Sequence, residues 1–374
     1  MAYGGDQSQP PTIDPSSVFP AVWLRDNCPC PDCRDPGNGQ KLFAITDLPD
    51  DLAVRSSERS AGSVTVTFEP DGHQAVFSES WLAARGSVAD QDGPGDVDGD
   101  GRTEASKRTW TAGEVEADLP TARWRDYLDV PSEHARVLRA VRDLGFAVLH
   151  DTPTAEETVL EIARTFGFPR ETNYGRLFDV RVEPSPTNLA FTGRAIAPHT
   201  DNPYRDPVPT LQLLHCLSNA AEGGESGLVD GFRAAAILRE EDRDAFDLLT
   251  ATLVPFAWSD ARASLRADRP LIDVDAAGHV REVRFNSRSM QALPLAGDNA
   301  ARFYAAYLRF AQVIARPELM VTFRLDAGDC LIFDNTRLLH ARTAFAENGA
   351  RHLQGCYADL DALGSSLRVL ENAG

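Results

Sequence analysis

Short runs that alternate apolar and polar side chains dominate the first part of the chain. Val64-Thr65-Val66-Thr67-Phe68 has the two-residue period of a strand buried on one face, and Pro70-Asp71-Gly72 supplies a turn. Residues 18–85 are therefore predicted to form a small β-rich module, preceded by a polar, proline-rich tail at 1–17. Residues 86–109 carry few large apolar side chains and many Gly and Asp, the composition of a solvated linker or loop. From Trp110 to the end the chain reads as one larger domain. Leu138, Val141 and Leu144 share a helical face, with Ser132 as the expected cap and Gly145 as the stop. Phe146–Leu149 then reads as a strand, and Thr154–Phe166 as a second helix with acids in its first turn. Strand-like and helical runs mix between Asn188 and Leu331. Towards the C-terminus, Met320–Leu325 and Cys330–Phe333 read as a strand pair about the Asp326–Asp329 turn.

Composition narrows the classes of function. The 374 residues include 37 Lys and Arg against 56 Asp and Glu, a net charge of 37 − 56 = −19. Such a surface disfavours nucleic acid as a partner, because phosphate binding needs clustered basic side chains, and it repels anionic membranes. The N-terminus lacks the basic and apolar regions of a signal peptide, and no stretch approaches the roughly 20 apolar residues of a membrane span. A cytoplasmic protein is the expectation. Asp96, Asp98, Asp100 and Gly101 imitate the opening of a calcium-binding loop, but Lys107 stands where a bidentate Glu is required, so no calcium site is expected.

Three of the six cysteines, Cys28, Cys30 and Cys33, crowd into one proline-stiffened segment. That spacing suits a metal rather than a disulfide framework. Structural zinc takes a tetrahedral set of thiolates and imidazoles, and His73, in a turn of the same module, is the nearest histidine to complete it. Cys216, Cys330 and Cys356 lie in apolar surroundings and read as small buried hydrophobes.

A second constellation is His199-Thr200-Asp201 with His340 far downstream. Positions i and i+2 of a strand share a face, so His199 and Asp201 are expected to hold one metal from one side. His340, brought alongside by sheet pairing, completes a two-histidine, one-carboxylate triad with open positions, the set suited to non-haem Fe(II). Arg351 offers a guanidinium fork for a carboxylate. Triad and clamp together match 2-oxoglutarate, chelated through its keto-acid end, with O2 as the second co-substrate. His215 and His352 compete as ligands. His215 sits in an apolar run and reads as a core histidine, and His352 faces away from Arg351 on a strand.

These residues resemble the γ-butyrobetaine hydroxylase and trimethyllysine hydroxylase family of Fe(II)- and 2-oxoglutarate-dependent oxygenases. The resemblance rests on Trp-Leu-Arg-Asp-Asn-Cys-Pro-Cys at 23–30, Gln-Leu-Leu-His-Cys-Leu at 212–217, Val-Asp-Gly-Phe at 229–232 and Arg-His-Leu-Gln-Gly-Cys-Tyr at 351–357. It implies a mainly β catalytic domain with flanking helices, folded as a double-stranded β-helix (jelly roll), a zinc-binding N-terminal domain, and a homodimer. It implies iron ligation by His199, Asp201 and His340, zinc ligation by Cys28, Cys30, Cys33 and His73, and a 2-oxoglutarate pocket of Arg351, Ser226 and Leu214. The family's aromatic cage for a trimethylammonium group falls on Tyr174, Phe178, Phe191 and Tyr357. Phe178 and Phe191 stand where the animal enzyme has Trp and Tyr, a departure that weakens cation–π attraction. Asn188 and Asn286 fall at the substrate's anionic end. Asn202 replaces a Tyr there and Arg288 lies close by, which would also suit a bulkier anion. The implied reaction is hydroxylation of γ-butyrobetaine to L-carnitine. Hydroxylation of 2-trimethylaminoethylphosphonate or trimethyllysine is the alternative, and a non-catalytic zinc-stapled jelly roll is an alternative of another class.

Overall fold

The computed structural model describes residues 19–37, 41–86, 107–181, 193–294, 297–346 and 351–373. The calcium-loop imitation, Asn188 and Phe191 lie outside the described residues. The chain divides into two compact units, Met1–Gly95 and Asp96–Gly374.

In the first unit a short helix, α1 (Ala21–Asp26), leads into the cysteine segment. Strands β1 (Ala53–Ser60), β2 (Ser63–Glu69) and β3 (Gln74–Ser78) form an antiparallel sheet in that order, and helix α2 (Glu79–Gly86) follows. The alternation read in β2 holds: Val64, Val66 and Phe68 are buried, and Ala75 and Phe77 of β3 join them, with Leu24, Cys28 and Cys33 closing the cluster. So small a core gains disproportionately from a metal staple.

The second unit opens with two short helices, α3 (Ala112–Glu116) and α4 (Trp124–Asp129), around strand β4 (Thr121–Arg123). Helix α5 (Pro131–Leu144) begins one residue before the predicted cap. Pro131 takes the first helical position, where its missing N–H costs nothing, so Ser132 lies inside the helix. Gly145 ends it at φ 90°, the left-handed cap that favours glycine. Strand β5 (Phe146–His150) follows as expected, but helix α6 spans only Thr158–Arg164. Glu157, left-handed at φ 68°, interrupts what the acids at 156 and 157 suggested was a first turn.

Strands β6 (Phe178–Arg181), β7 (Ile196–His199), β8 (Leu211–Asn219) and β9 (Ser226–Asp230) come next. Helices α7 (Gly231–Glu241) and α8 (Arg243–Ala251) then precede two hairpins, β10 (Val254–Ser259) with β11 (Ser264–Arg269), and β12 (Ile272–Val274) with β13 (Val280–Val283). Helix α9 (Gly297–Ile314), strands β14 (Met320–Phe323), β15 (Cys330–Asp334), β16 (Leu338–Arg342) and β17 (Arg351–Ala358), and helix α10 (Leu360–Ala373) complete the unit.

Two sheets face each other as a jelly roll. One has the order β4-β5-β15-β8-β17-β6, the other β14-β9-β16-β7. The predicted pair β14 and β15 is therefore not a hairpin: β14 pairs with β9, and β15 with β5 and β8. The turn between them carries the chain from one sheet to the other, which local alternation cannot reveal. Strand parity makes the layers. Phe146, Val148, Leu331, Phe333, Leu228 and Leu338 point between the sheets. Ala147, Leu149, Leu213, Ile332 and Cys356 point the other way, under α5, α6 and α10. Helices α7, α8 and α9 cover the far side of the smaller sheet through Val229, Leu339 and their own apolar faces. Strands buried on both faces read as nearly continuous apolar runs, so a polar residue facing inward stands out.

Candidate active site

Inward parity places the site. Strands β16 and β7 pair so that His340 lies opposite His199, and their rings are 4.1 Å apart. Asp201 lies just beyond the end of β7 rather than on it, unlike the strand arrangement predicted from the tripeptide. It still converges with the histidines. One nitrogen of each and one Asp201 oxygen lie within 4.8 Å of one another, and His199 Nε2 is 3.4 Å from Asp201 Oδ1. His199 Nδ1 donates to the Ala197 carbonyl at 2.9 Å, which fixes the tautomer that leaves Nε2 as a lone-pair donor. Burial, helped by neighbouring His199, pushes His340 down to about 3, so its imidazole is neutral and ligand-ready, and its buried Nδ1 has no hydrogen-bond partner among the described residues. Burial would raise the Asp201 carboxyl. The neighbouring histidines and the hydrogen bond donated by the Tyr357 hydroxyl outweigh it and hold the group well below the usual carboxylate range. Two imidazoles and one ionised carboxylate in a partly buried cluster fit a divalent transition metal.

Asn335, immediately after β15, anchors the backbone of this segment. Its Oδ1 accepts from Asp201 N–H at 2.8 Å, and its Nδ2 donates to the Asp201 carbonyl at 3.0 Å. Nothing in its sequence context marked Asn335 beyond its place after the strand.

The triad opens on a cavity of about 460 Å³. Arg351, Ser226 and Leu214 line it, as does Arg342, which the sequence reading missed although it shares the inward face of His340. Arg351 Nη2 donates to the Gly224 carbonyl at 3.2 Å, while its buried Nε has no partner among the described residues. Burial lowers the Arg351 pKa, and burial together with Arg351 and Arg288 brings Arg342 down to about 10. A cavity wall of desolvated cations fits a carboxylate ligand. Phe345 lies beneath both guanidiniums, 4.8 Å from Arg342 and 5.3 Å from Arg351.

Elsewhere the wall is aromatic. Tyr174, Phe178 and Tyr357 line the cavity, with ring centroids 6.3 Å apart for the first pair and 5.2 Å for the second. Phe178 packs against Gly355, where a Cβ would come within 2.4 Å of its ring, so the glycine is required by this close approach. Sequence reasoning missed two further rings. Trp258, from the β10–β11 hairpin, is 5.6 Å from Tyr174 and stacks at 6.0 Å on Tyr204, and both line the cavity. An indole is therefore present although Phe178 is not one. Asn202, Asn286 and Arg288 also line the cavity. Asn202 Oδ1 accepts from the Tyr204 hydroxyl at 2.8 Å, which leaves its buried Nδ2 as a donor without a partner among the described residues. Asn286 Nδ2 donates to the Thr200 carbonyl at 2.9 Å. His215 lies in the core, bonded to Thr152 at 2.8 Å, and His352 pairs with Asp179 at 2.6 Å; neither joins the triad.

In the first unit, His73 Nε2 lies 3.2, 3.7 and 3.5 Å from the sulfurs of Cys28, Cys30 and Cys33. The edge of a tetrahedral zinc site is about 3.6 Å for ordinary Zn–S and Zn–N bonds. Burial and the neighbouring cysteines push Cys28 up to about 12, a crowding of thiols that a bound cation would relieve.

Residues 107–357 match the taurine catabolism dioxygenase TauD, TfdA family, and residues 13–83 match the gamma-butyrobetaine hydroxylase-like N-terminal family. A gamma-butyrobetaine dioxygenase of Pseudomonas sp. (strain AK-1) is 36% identical over 368 residues, covering 95% of this chain and 91% of that protein. The Homo sapiens gamma-butyrobetaine dioxygenase is 30% identical with the same coverage of both chains, and a trimethyllysine dioxygenase of Meyerozyma guilliermondii is 28% identical, also with that coverage. With its catalytic unit and its N-terminal unit both matched, the chain belongs to the TauD/TfdA dioxygenase family, in the branch that carries the gamma-butyrobetaine hydroxylase-like N-terminal domain.

Proposed function

We propose that this chain is an Fe(II)- and 2-oxoglutarate-dependent hydroxylase of a trimethylammonium substrate, converting γ-butyrobetaine to L-carnitine. The observation that carries the reading is one cavity holding a complete two-histidine, one-carboxylate triad, the buried Arg351 with no carboxylate partner among the described residues, and a wall of aromatic rings. The names of the relatives support the same substrate class.

His199, Asp201 and His340 would hold ferrous iron, and Cys28, Cys30, Cys33 and His73 a structural zinc. Iron bound there, with 2-oxoglutarate and O2, supplies oxidative decarboxylation of the keto acid to succinate and CO2 and hydroxylation of a C–H bond. The protein's own part is positioning. Arg351, beside Ser226 and Leu214, takes the far carboxylate of 2-oxoglutarate. Tyr174, Phe178, Tyr357 and Trp258 face the trimethylammonium group, which offers no hydrogen bond but gains about 0.5–2 kcal/mol on each well-placed ring. Asn202 and Asn286 take the substrate's anionic end, so the carbon between the two ends is presented to the triad. Asn188 and Phe191 belong to this reading through the family resemblance alone. A homodimer and a cytoplasmic location also belong to it; among the described residues no helix is long and apolar enough to cross a membrane.

Arg288 favours a second reading. It lines the cavity beside Asn286, and a phosphonate would use its charge better than a carboxylate does. A succinate-formation screen of γ-butyrobetaine, trimethyllysine and 2-trimethylaminoethylphosphonate decides. Highest turnover with γ-butyrobetaine is expected. Highest turnover with the phosphonate would replace the substrate assignment, and no succinate with any of them would overturn the function.

A further inference from the structure

Gln212 opens the Gln-Leu-Leu-His-Cys-Leu motif. It is 1% exposed and lines the cavity. Its register partner across β8 and β17 is Tyr357, and inward parity sends both side chains to the same carboxylate. The Gln212 amide lies 3.0 Å from Asp201 Oδ2, and the Tyr357 hydroxyl donates to that same oxygen at 2.9 Å. The other oxygen, Oδ1, is the one 3.4 Å from His199 Nε2. An ionised carboxylate only accepts hydrogen bonds, so Gln212 must turn its Nε2 to Asp201. Its Oε1 is then left buried with no partner among the described residues. A buried carbonyl without a partner destabilises a fold, and an apolar side chain of the same volume would pack without that penalty. The amide is present for Asp201.

We propose that Gln212 and the Tyr357 hydroxyl are positioning residues that brace Asp201 through Oδ2, so that it meets the metal through Oδ1 alone. The inference rests on the iron reading above. A carboxylate free to bring both oxygens to the metal would occupy a position that the keto acid or oxygen needs. Two donors on Oδ2, each fixed by a buried strand, oppose that rotation. Tyr357 has a second contact: its ring stands 5.2 Å from that of Phe178 in the aromatic wall. The residue that faces the substrate's cation thus also touches a metal ligand, which ties substrate occupancy to the state of Asp201.

Gln212→Met and Tyr357→Phe remove the two donors and keep the volume and the ring. With the cysteine site of the first unit saturated with zinc beforehand, anaerobic Co(II) titration followed by visible absorption reads the His199–Asp201–His340 site without turnover. Each variant is expected to bind Co(II) about 10–100-fold more weakly than the wild-type chain, the usual effect of losing an outer-shell partner. The melting temperature without metal should hold, or rise for Gln212→Met. In turnover, succinate should exceed hydroxylated product in both variants, because a misplaced metal decarboxylates the keto acid without hydroxylating substrate. Co(II) affinities within about twofold of wild type for both variants, in folded protein, would overturn the brace. Gln212→Asn, whose amide is a methylene too short, replaces the methionine variant should that one not fold. If the wild-type chain forms no succinate with any trimethylammonium compound, the proposed function fails, while the Co(II) comparison still decides the brace.

Discussion

Replacing Arg351 with Met tests the 2-oxoglutarate pocket where it is most exposed to error. Arg351 is 7% exposed; its guanidinium makes one hydrogen bond to the Gly224 carbonyl and has a buried Nε without a partner among the described residues. Burial lowers its pKa, so the free protein holds a cation in surroundings that penalise charge. A dicarboxylate ligand that pairs with it relieves the penalty. Truncating one member of a buried, hydrogen-bonded charge pair typically costs 2–5 kcal/mol of binding. The low end applies here, because Arg342 shares the Phe345 ring and remains cationic. A loss of about 2–3 kcal/mol is a weakening of roughly 30- to 150-fold for 2-oxoglutarate. Anaerobic calorimetric titration of 2-oxoglutarate into the Mn(II)-loaded chain measures it, and the melting temperature of the metal-free variant supplies the control. That temperature should not fall, since the variant loses a buried charge together with only one hydrogen bond. Affinity within about threefold of wild type would refute the clamp. A large fall in melting temperature would show that Arg351 holds the fold instead.

Three further outcomes follow from the same contacts. Trp258→Leu should raise the KM for a trimethylammonium substrate about two- to thirtyfold, the loss of one cation–π face worth 0.5–2 kcal/mol, with the KM for 2-oxoglutarate unchanged in steady-state kinetics. From the proposed zinc site, chelator treatment or Cys28→Ser should lower a separate melting transition of the first unit in calorimetry, because so small a core would lose its staple. Burial pushes His215 down to about 4 from the ordinary 6.5, so below pH 6.5 the unfolded chain takes up a proton that the folded one refuses. Stability should fall by on the order of 3 kcal/mol between pH 6.5 and 4, and His215→Gln, which can keep the bond to Thr152, should flatten that part of a urea-unfolding profile.

The parts legible in the sequence are those that depend on local period and chemistry. Val64, Val66 and Phe68 alternate because one sheet face packs on a core and the other does not. Cys28, Cys30 and Cys33 sit close in sequence, so their meeting needs only a turn. His199 and His340 are distant, yet each lies on a strand whose inward face could be counted, and pairing of β7 with β16 sets them opposite. What stayed hidden depends on which strand lies beside which. Met320–Phe323 and Cys330–Asp334 read as a pair, but the turn between them crosses from one sheet to the other. Trp258 has no local mark of function; only the fold of the β10–β11 hairpin brings it to Tyr174. Helix starts failed where a single backbone state decides, at Pro131 and at Glu157.

Asp201 shows why the tripeptide alone specifies so little. Its backbone is held by Asn335 after β15, one oxygen by Gln212 of β8 and Tyr357 of β17, and the other faces His199 of β7. Each partner comes from a different segment, and His199 and Asp201 remain two residues apart in sequence whatever those segments do. A one-residue slip in β8 or β17 turns Gln212 or Tyr357 to the helix side and brings Leu213 or Cys356 inward. The His-Thr-Asp motif would survive such a slip intact, while its carboxylate lost the donors that help hold it ionised and oriented. The information that positions the motif's carboxylate is therefore spread over the apolar alternation of the neighbouring strands, which must keep register for two polar side chains to arrive at one oxygen.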